Sequence, residues 1–286
     1  MCAPLVLAAC GNGVLNPRGP VGAAQMTILI DSLAIMLSIV IPTIVAIVAF
    51  AWWFRASNAR ARYLPDWEFS GKIELVVWAI PSMVIILLGG VTWLGSHALD
   101  PAKPLPSTKT ALEIQIVSLD WKWLFIYPEQ GIGSVNQLVV PADTPLHFSL
   151  TSASVMNAFF IPQLGSMIYT MNGMVSSLNL QADEPGTFAG LSAHYSGEGF
   201  SDMHFETRAV AAPEFDTWIA NAKRNGSRLD ESRYATLSRQ SIADPVTLFG
   251  SVDPALFHRI VMQGVPPGPG PAAVVDGASL PVNAEH

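Results

Sequence analysis

The chain has 286 residues, 15 Lys+Arg against 22 Asp+Glu for a formal net charge of −7, 50% hydrophobic residues and 13% charged ones. A soluble domain carries about 25% charged residues, so this composition argues against a wholly soluble enzyme, and the acidic balance argues against a nucleic-acid partner. The apolar excess lies in two segments, which excludes a many-spanning transporter and leaves a short membrane anchor with one globular domain.

Both cysteines, Cys2 and Cys10, stand at the extreme N-terminus, so no disulfide or cysteine-rich zinc site can form in the body. Residues 5–9 are apolar and end in small residues before Cys10. Leu7-Ala8-Ala9-Cys10 resembles the bacterial lipoprotein cleavage site, which implies a lipidated Cys10 at the head of the mature chain. Residues 1–9 hold no Lys or Arg and the apolar stretch is short, so the true start is expected upstream.

Residues 27–54 and 75–96 are each long and apolar enough to cross a hydrocarbon core of about 30 Å. Pro42 and Pro81 fall inside them, where a membrane span tolerates proline, and Trp52, Trp53, Phe54, Trp78 and Trp93 lie near the span ends as interfacial anchors. The linking loop carries Arg55, Arg60, Arg62 and Lys72, so the positive-inside rule places it in the cytoplasm and both termini in the periplasm. Glu74 follows Lys72 at the start of the second span. It reads either as an interfacial carboxylate paired with Lys72 or as a proton-uptake group.

From residue 112 the pattern changes to short β-branched and aromatic runs at 112–118, 121–127, 137–140, 145–151, 175–182, 186–195 and 204–210. Turn signals such as Pro128-Glu129-Gln130-Gly131 and Asp183-Glu184-Pro185-Gly186 separate them, as in a β-sandwich or barrel. Residues 213–222 and 230–240 read as helices, with Pro213 at a helix start and Glu214 and Asp216 favouring its N-terminal end. The run from Gln263 to Pro271, rich in proline and glycine, reads as a disordered tail. The expected organisation is an N-terminal segment over 1–26, a transmembrane hairpin over 27–97, a periplasmic β domain over 110–211, a short helical extension over 212–262 and a tail over 263–286.

The stretches Ile73-Glu74-Leu75-Val76-Val77-Trp78, Asp120-Trp121-Lys122-Trp123, Ser154-Val155-Met156-Asn157 and Gly190-Leu191-Ser192-Ala193-His194-Tyr195-Ser196-Gly197 carry a resemblance. With them the chain resembles subunit II of the haem-copper terminal oxidases, from Leu15 to about Met262. The resemblance implies a two-helix transmembrane hairpin, a periplasmic cupredoxin-like β-sandwich and a bacterial inner-membrane location. In the cytochrome c branch of that family this domain holds a two-copper centre. Its ligands are two histidines, two cysteines, a methionine and a backbone carbonyl. Placed on this chain, the side-chain positions are Asn157, Ser192, Ser196, Phe200 and Met203, and the carbonyl is that of His194. A seryl hydroxyl stays protonated near neutral pH where a thiolate would bind, and Phe200 has no lone pair. The positions are therefore degenerate and no metal is expected. His194, Met203 and His204 form no alternative site, because His204 points away from Met203 on a strand. Met156, Met167, Met171, Met174 and Met203 read as packing residues.

Without copper, electrons must arrive by another route. The loop Tyr195-Ser196-Gly197-Glu198-Gly199-Phe200 and the segment Leu15-Asn16-Pro17-Arg18-Gly19-Pro20 resemble the quinol-oxidising branch of the family. That resemblance implies a non-catalytic subunit of a proton-pumping oxidase that takes electrons from ubiquinol, with haems and copper in subunit I. Further small membrane subunits and membrane lipid are implied as partners, and cytochrome c is not. It moves Glu74 to the proton-uptake reading, at the mouth of a channel into subunit I. Trp121 and Trp123 match aromatics on the electron route of the cytochrome c branch, and here they read as structural. The competing reading is a stand-alone, membrane-anchored cupredoxin-like binding module.

Overall fold

Two uninterrupted apolar stretches dictate the first two elements of the computed structural model, which describes residues 13–62 and 64–265. Helix α1 (Pro20–Trp53) and helix α2 (Gly71–Ala98) are apolar on every face, with Pro42 and Pro81 inside them. At about 1.5 Å per residue both are long enough to cross a bilayer. Their apolar side chains are exposed along nearly the whole length, the pattern of helices solvated by lipid rather than by a protein core. Helix α1 begins at Pro20, not at residue 27, because proline is favoured in a first helical turn. Arg55 closes its other end: Nη1 donates to the Trp52 carbonyl at 2.9 Å and the guanidinium lies 4.8 Å from the Trp52 ring. A cation at a helix C-terminus satisfies an otherwise orphaned carbonyl and complements the dipole.

Among the described residues, 13–23 and 101–265 form a second compact unit. Its strands run β1 (Leu112–Leu119), β2 (Lys122–Tyr127), β3 (Ile132–Val135), β4 (Gln137–Pro141), β5 (Leu146–Ser152), β6 (Asn157–Ile161), β7 (Gly165–Thr170), β8 (Ser176–Leu180), β9 (Gly186–Ser192) and β10 (His204–Val210). There follow α3 (Ala212–Asn225), β11 (Ser227–Leu229), α4 (Glu231–Leu237), β12 (Thr247–Val252) and α5 (Leu256–Val261). One sheet has the order β11-β12-β3-β2-β1-β5-β8 and the other β4-β10-β9-β6-β7. The pairs β1–β5, β4–β10 and β11–β12 are parallel, and the other paired neighbours are antiparallel.

The alternation of β1 and β2 builds two cores, not one. Leu112, Ile114, Ile116, Trp123, Phe125 and Tyr127 point between the sheets, where Phe159 stacks on Phe205 at 5.0 Å between ring centroids. Val117, Leu119, Leu124 and Ile126 point the other way, against Leu229, Tyr234, Phe249, Leu256, Phe257 and Ile260. The larger sheet is therefore buried on both faces, which is why Lys122-Trp123-Leu124-Phe125-Ile126-Tyr127 is buried at every position.

Two sequence expectations need correction here. The segment 212–262 is helical only in part, since β11 and β12 join the larger sheet through β3. Gly226 and Gly250 permit this: a Cβ on either would strike the backbone of the adjoining segment. The expected tail over 263–286 starts too early. Val265 is buried in the outer core and Gln263 donates to Asn172 Oδ1 at 2.9 Å. The remainder of that tail, residues 266–286, lies outside the described residues, as does Cys10.

Candidate functional site

The degenerate positions come together at one end of the smaller sheet. Asn157 opens β6, Ser192 closes β9, and the loop after Ser192 leads through a short 3-10 turn (Glu198–Asp202) to Met203 and β10. In the β6–β9 pairing Ser192 faces Phe159, two residues on from Asn157, so Asn157 and Ser192 are diagonal neighbours. Ser192 Oγ lies 3.2 Å from Asn157 Oδ1 and 3.3 Å from the His194 carbonyl, and its one hydroxyl proton is shared between them. Asn157 Nδ2 donates to the Val155 carbonyl at 3.4 Å. The Ser192 amide donates to the Met203 carbonyl at 3.1 Å, and the Met203 amide to that of Phe200 at 3.1 Å.

Trp121 holds the loop in place. Its indole N–H donates to the Ser196 carbonyl at 2.9 Å, and its backbone takes φ +64°, a conformation rare for a bulky residue. The ring lies where a Cβ on residue 199 would be, so Gly199 is required by contact with Trp121. Ser196 itself is buried, and its Oγ has no partner among the described residues. Phe200 packs edge-on against the exposed ring of Tyr195 at 5.6 Å.

This donor set does not fit a two-copper centre. Asn157 Oδ1 and the His194 carbonyl both accept the hydroxyl of Ser192, neither serine supplies a thiolate, and Phe200 contributes an apolar ring. Met203 is fully buried, whereas His204 is exposed on the opposite face of β10. Met203 is the methionine that fills the core. Met156, Met167 and Met174 are 38%, 40% and 54% exposed, which corrects their reading as packing residues. Met156 and Met174 lie just outside β6 and β8, and Met167 takes an exposed position within β7.

The Asp120-Trp121-Lys122-Trp123 motif reaches in two directions. Trp123 is fully buried between Phe159 and Phe205, at 5.4 and 5.6 Å between ring centroids. Lys122 turns outward under the C-terminal extension. Its Nζ donates to the Arg239 carbonyl and to Asp244 Oδ2, each at 2.9 Å, and to Ser241 Oγ. Burial acts against the Asp244 carboxylate, but hydrogen bonds from Lys122 and Ser241 outweigh it and hold the carboxyl below its usual range. Asp120 is also buried: one carboxyl oxygen accepts from Ser154 Oγ and the other has no partner among the described residues. Burial, followed by the Asp120 charge, pushes the Tyr234 hydroxyl above the ordinary phenol range. The Lys122–Asp244 pair spans too long a stretch of chain for any local motif to announce it.

Glu74 sits in the first turn of α2, where Oε2 accepts from the indole N–H of Trp78 at 3.2 Å. The partner is the indole, one helical turn on, and not Lys72. Among the described residues no group of three or more His, Cys, Asp or Glu side chains could hold a metal ion.

Residues 114–210 match the family described as cytochrome c oxidase subunit II, periplasmic domain, and residues 223–268 match the aromatic-rich motif of the same oxidases. Ubiquinol oxidase subunit 2 of Acetobacter aceti is 49% identical over 91% of this chain and 85% of its own length. Cytochrome bo(3) ubiquinol oxidase subunit 2 of Pseudomonas aeruginosa is 50% identical over 91% of this chain and 78% of its own. The crystal structure of the periplasmic domain of a cytochrome oxidase subunit II from Bradyrhizobium japonicum matches 41% of this chain and 98% of that one, at 27% identity and a TM-score of 0.39.

Proposed function

The chain belongs to the subunit 2 family of the ubiquinol oxidases, and from that premise we propose that it is the copper-free, membrane-anchored second subunit of a proton-pumping oxidase that passes electrons from ubiquinol to oxygen. The observation that supports this most is the closed hydrogen-bond pair of Ser192 and Asn157, at positions where the cytochrome c branch carries metal ligands. A subunit without an electron port leaves electrons to reach haem directly from a membrane quinol. Haems and the oxygen-reducing copper then reside in subunit I, and this chain supplies contacts to it and to further small membrane subunits.

On this reading the bilayer is the bacterial inner membrane. The Arg-rich loop between α1 and α2 faces the cytoplasm, the β-sandwich faces the periplasm, and Cys10 carries the lipid of a lipoprotein. Glu74 then lies at the cytoplasmic face, where its carboxylate takes up protons for a channel into subunit I. The hydrogen bond from Trp78 orients that carboxylate. No residue of this chain is a catalytic residue for oxygen reduction.

The test is purification of the complex through a tag on this chain after mild solubilisation. A haem-containing partner and oxygen uptake driven by ubiquinol are expected, with Glu74→Gln lowering proton uptake at unchanged haem content. A chain that runs alone, without haem, would move the assignment to a stand-alone anchored binding module.

A further inference from the structure

At the loop end of the hairpin, where α1 stops and α2 starts, lies a cavity of about 830 Å³. Its lining combines the apolar side chains of Phe50, Phe54, Leu64 and Trp67 with the cations of Arg55 and Arg62. All four apolar groups are more than half exposed, so they form an open wall and not part of a packed core. Arg55 is held in place by its bonds to the Trp52 carbonyl and Ser57 Oγ, while Asn58 Nδ2 covers the Trp53 carbonyl. The linker also carries Arg60 and Lys72 against Asp66 and Glu68, and neither acid lines the cavity.

An occupant must satisfy both kinds of lining at the depth where Trp52, Trp53 and Phe54 mark the membrane interface. A soluble anion would leave the aromatic wall wet, and a neutral alkyl chain would leave two guanidinium groups without a counter-charge. We propose that this cavity binds one anionic phospholipid, with the headgroup phosphate on Arg55 and Arg62 and the acyl chains along Phe50, Phe54 and Trp67. Guanidinium groups suit phosphate because they present paired donors, and a pocket of this volume is in the usual range for a bound small molecule. The site would fix the depth of the loop and hence of Glu74 at the water boundary. The inference rests on the reading of the hairpin as the membrane anchor of an oxidase subunit.

The tagged complex is reconstituted into phosphatidylcholine bilayers with a minor share of photoactivatable phosphatidylglycerol, and the labelled peptides are mapped. Labelling should concentrate between Phe54 and Ile73. A basic residue near an anionic surface contributes about 5-fold in affinity, so Arg55→Gln with Arg62→Gln should reduce that labelling roughly 30-fold. Lys103→Gln, outside the cavity, should leave it unchanged. Equal labelling by photoactivatable phosphatidylcholine, or labelling unchanged in the double variant, would overturn the proposal. So would a cavity covered by a partner subunit, seen as protein–protein cross-links from Trp67 in place of lipid adducts. Haem content and retained partner subunits are read on the same sample. Their loss would sink the oxidase reading, whereas the lipid pattern alone decides the site.

Discussion

The loop end of the smaller sheet and the outer face of the larger sheet lie in one domain but are built on opposite terms. At the loop end, neutral side chains share long hydrogen bonds of 3.2 to 3.4 Å around Ser192 and Asn157, and Ser196 Oγ is left without a partner among the described residues. At the outer face, Phe249, Tyr234, Leu256 and Phe257 form a closed apolar core beside a buried Lys122–Asp244 ion pair. The contrast separates the loop from the bulk of the packing, which lies in the cores on either side of the larger sheet. Trp121 and Gly199 fix the loop's shape.

Cutting into the outer core should have the largest effect. Phe249→Ala removes a fully buried ring and should cost about 3–5 kcal/mol, read as a lowered urea midpoint for unfolding of the β domain within the solubilised chain. A loss under about 1 kcal/mol would mean that the extension does not share the stability of the sandwich.

The ion pair comes next. The Lys122 side chain is 2% exposed and that of Asp244 26%, so the lysine is almost wholly desolvated and the carboxylate only partly. Lys122→Met should cost about 2–3 kcal/mol at neutral pH, below the full range for breaking a buried pair because water reaches Asp244. The pH dependence has a fixed sign. The folded-state pKa of Asp244 is depressed, so its contribution is present above the ordinary carboxylate pKa of about 4 and is lost as pH falls through the lower folded value. Asp244→Asn should therefore flatten part of the acid limb of the stability curve, with little change in its shape above pH about 6. An acid limb identical to that of the native chain would contradict the assignment.

Much of this contrast was legible in the residues. The two apolar spans and the turn signals located the hairpin and most strands of the sandwich, and β10 matches its expected bounds. Strand β3 was not anticipated because it has only four residues, and β6 and β7 because Pro162 and Gly165 interrupt the pattern around their turn. The outer core was hidden for a different reason. The apolar run of β2 from Trp123 to Tyr127 is what burial on both faces requires, but it does not say which segment covers the second face, and β11 is a three-residue strand with Leu229 as its one apolar residue. The degenerate positions could be named from a resemblance, but the partners of Lys122 could not, since they lie more than a hundred residues away and depend on tertiary placement, whereas Glu74 and Trp78 are an i,i+4 pair that helix spacing offers.

The smallest effect belongs to the loop end. Ser192→Ala removes one shared hydrogen bond and should cost about 1 kcal/mol or less, with oxygen uptake on ubiquinol unchanged. A large loss of uptake would show that the pair serves electron transfer after all.

The most direct test of the account is oxygen uptake by the intact complex with ubiquinol and reduced cytochrome c supplied in separate reactions. The account predicts uptake with ubiquinol and none above background with cytochrome c. Sustained uptake with cytochrome c as the sole donor would mean that electrons enter despite Asn157, Ser192, Ser196 and Phe200, and would contradict it.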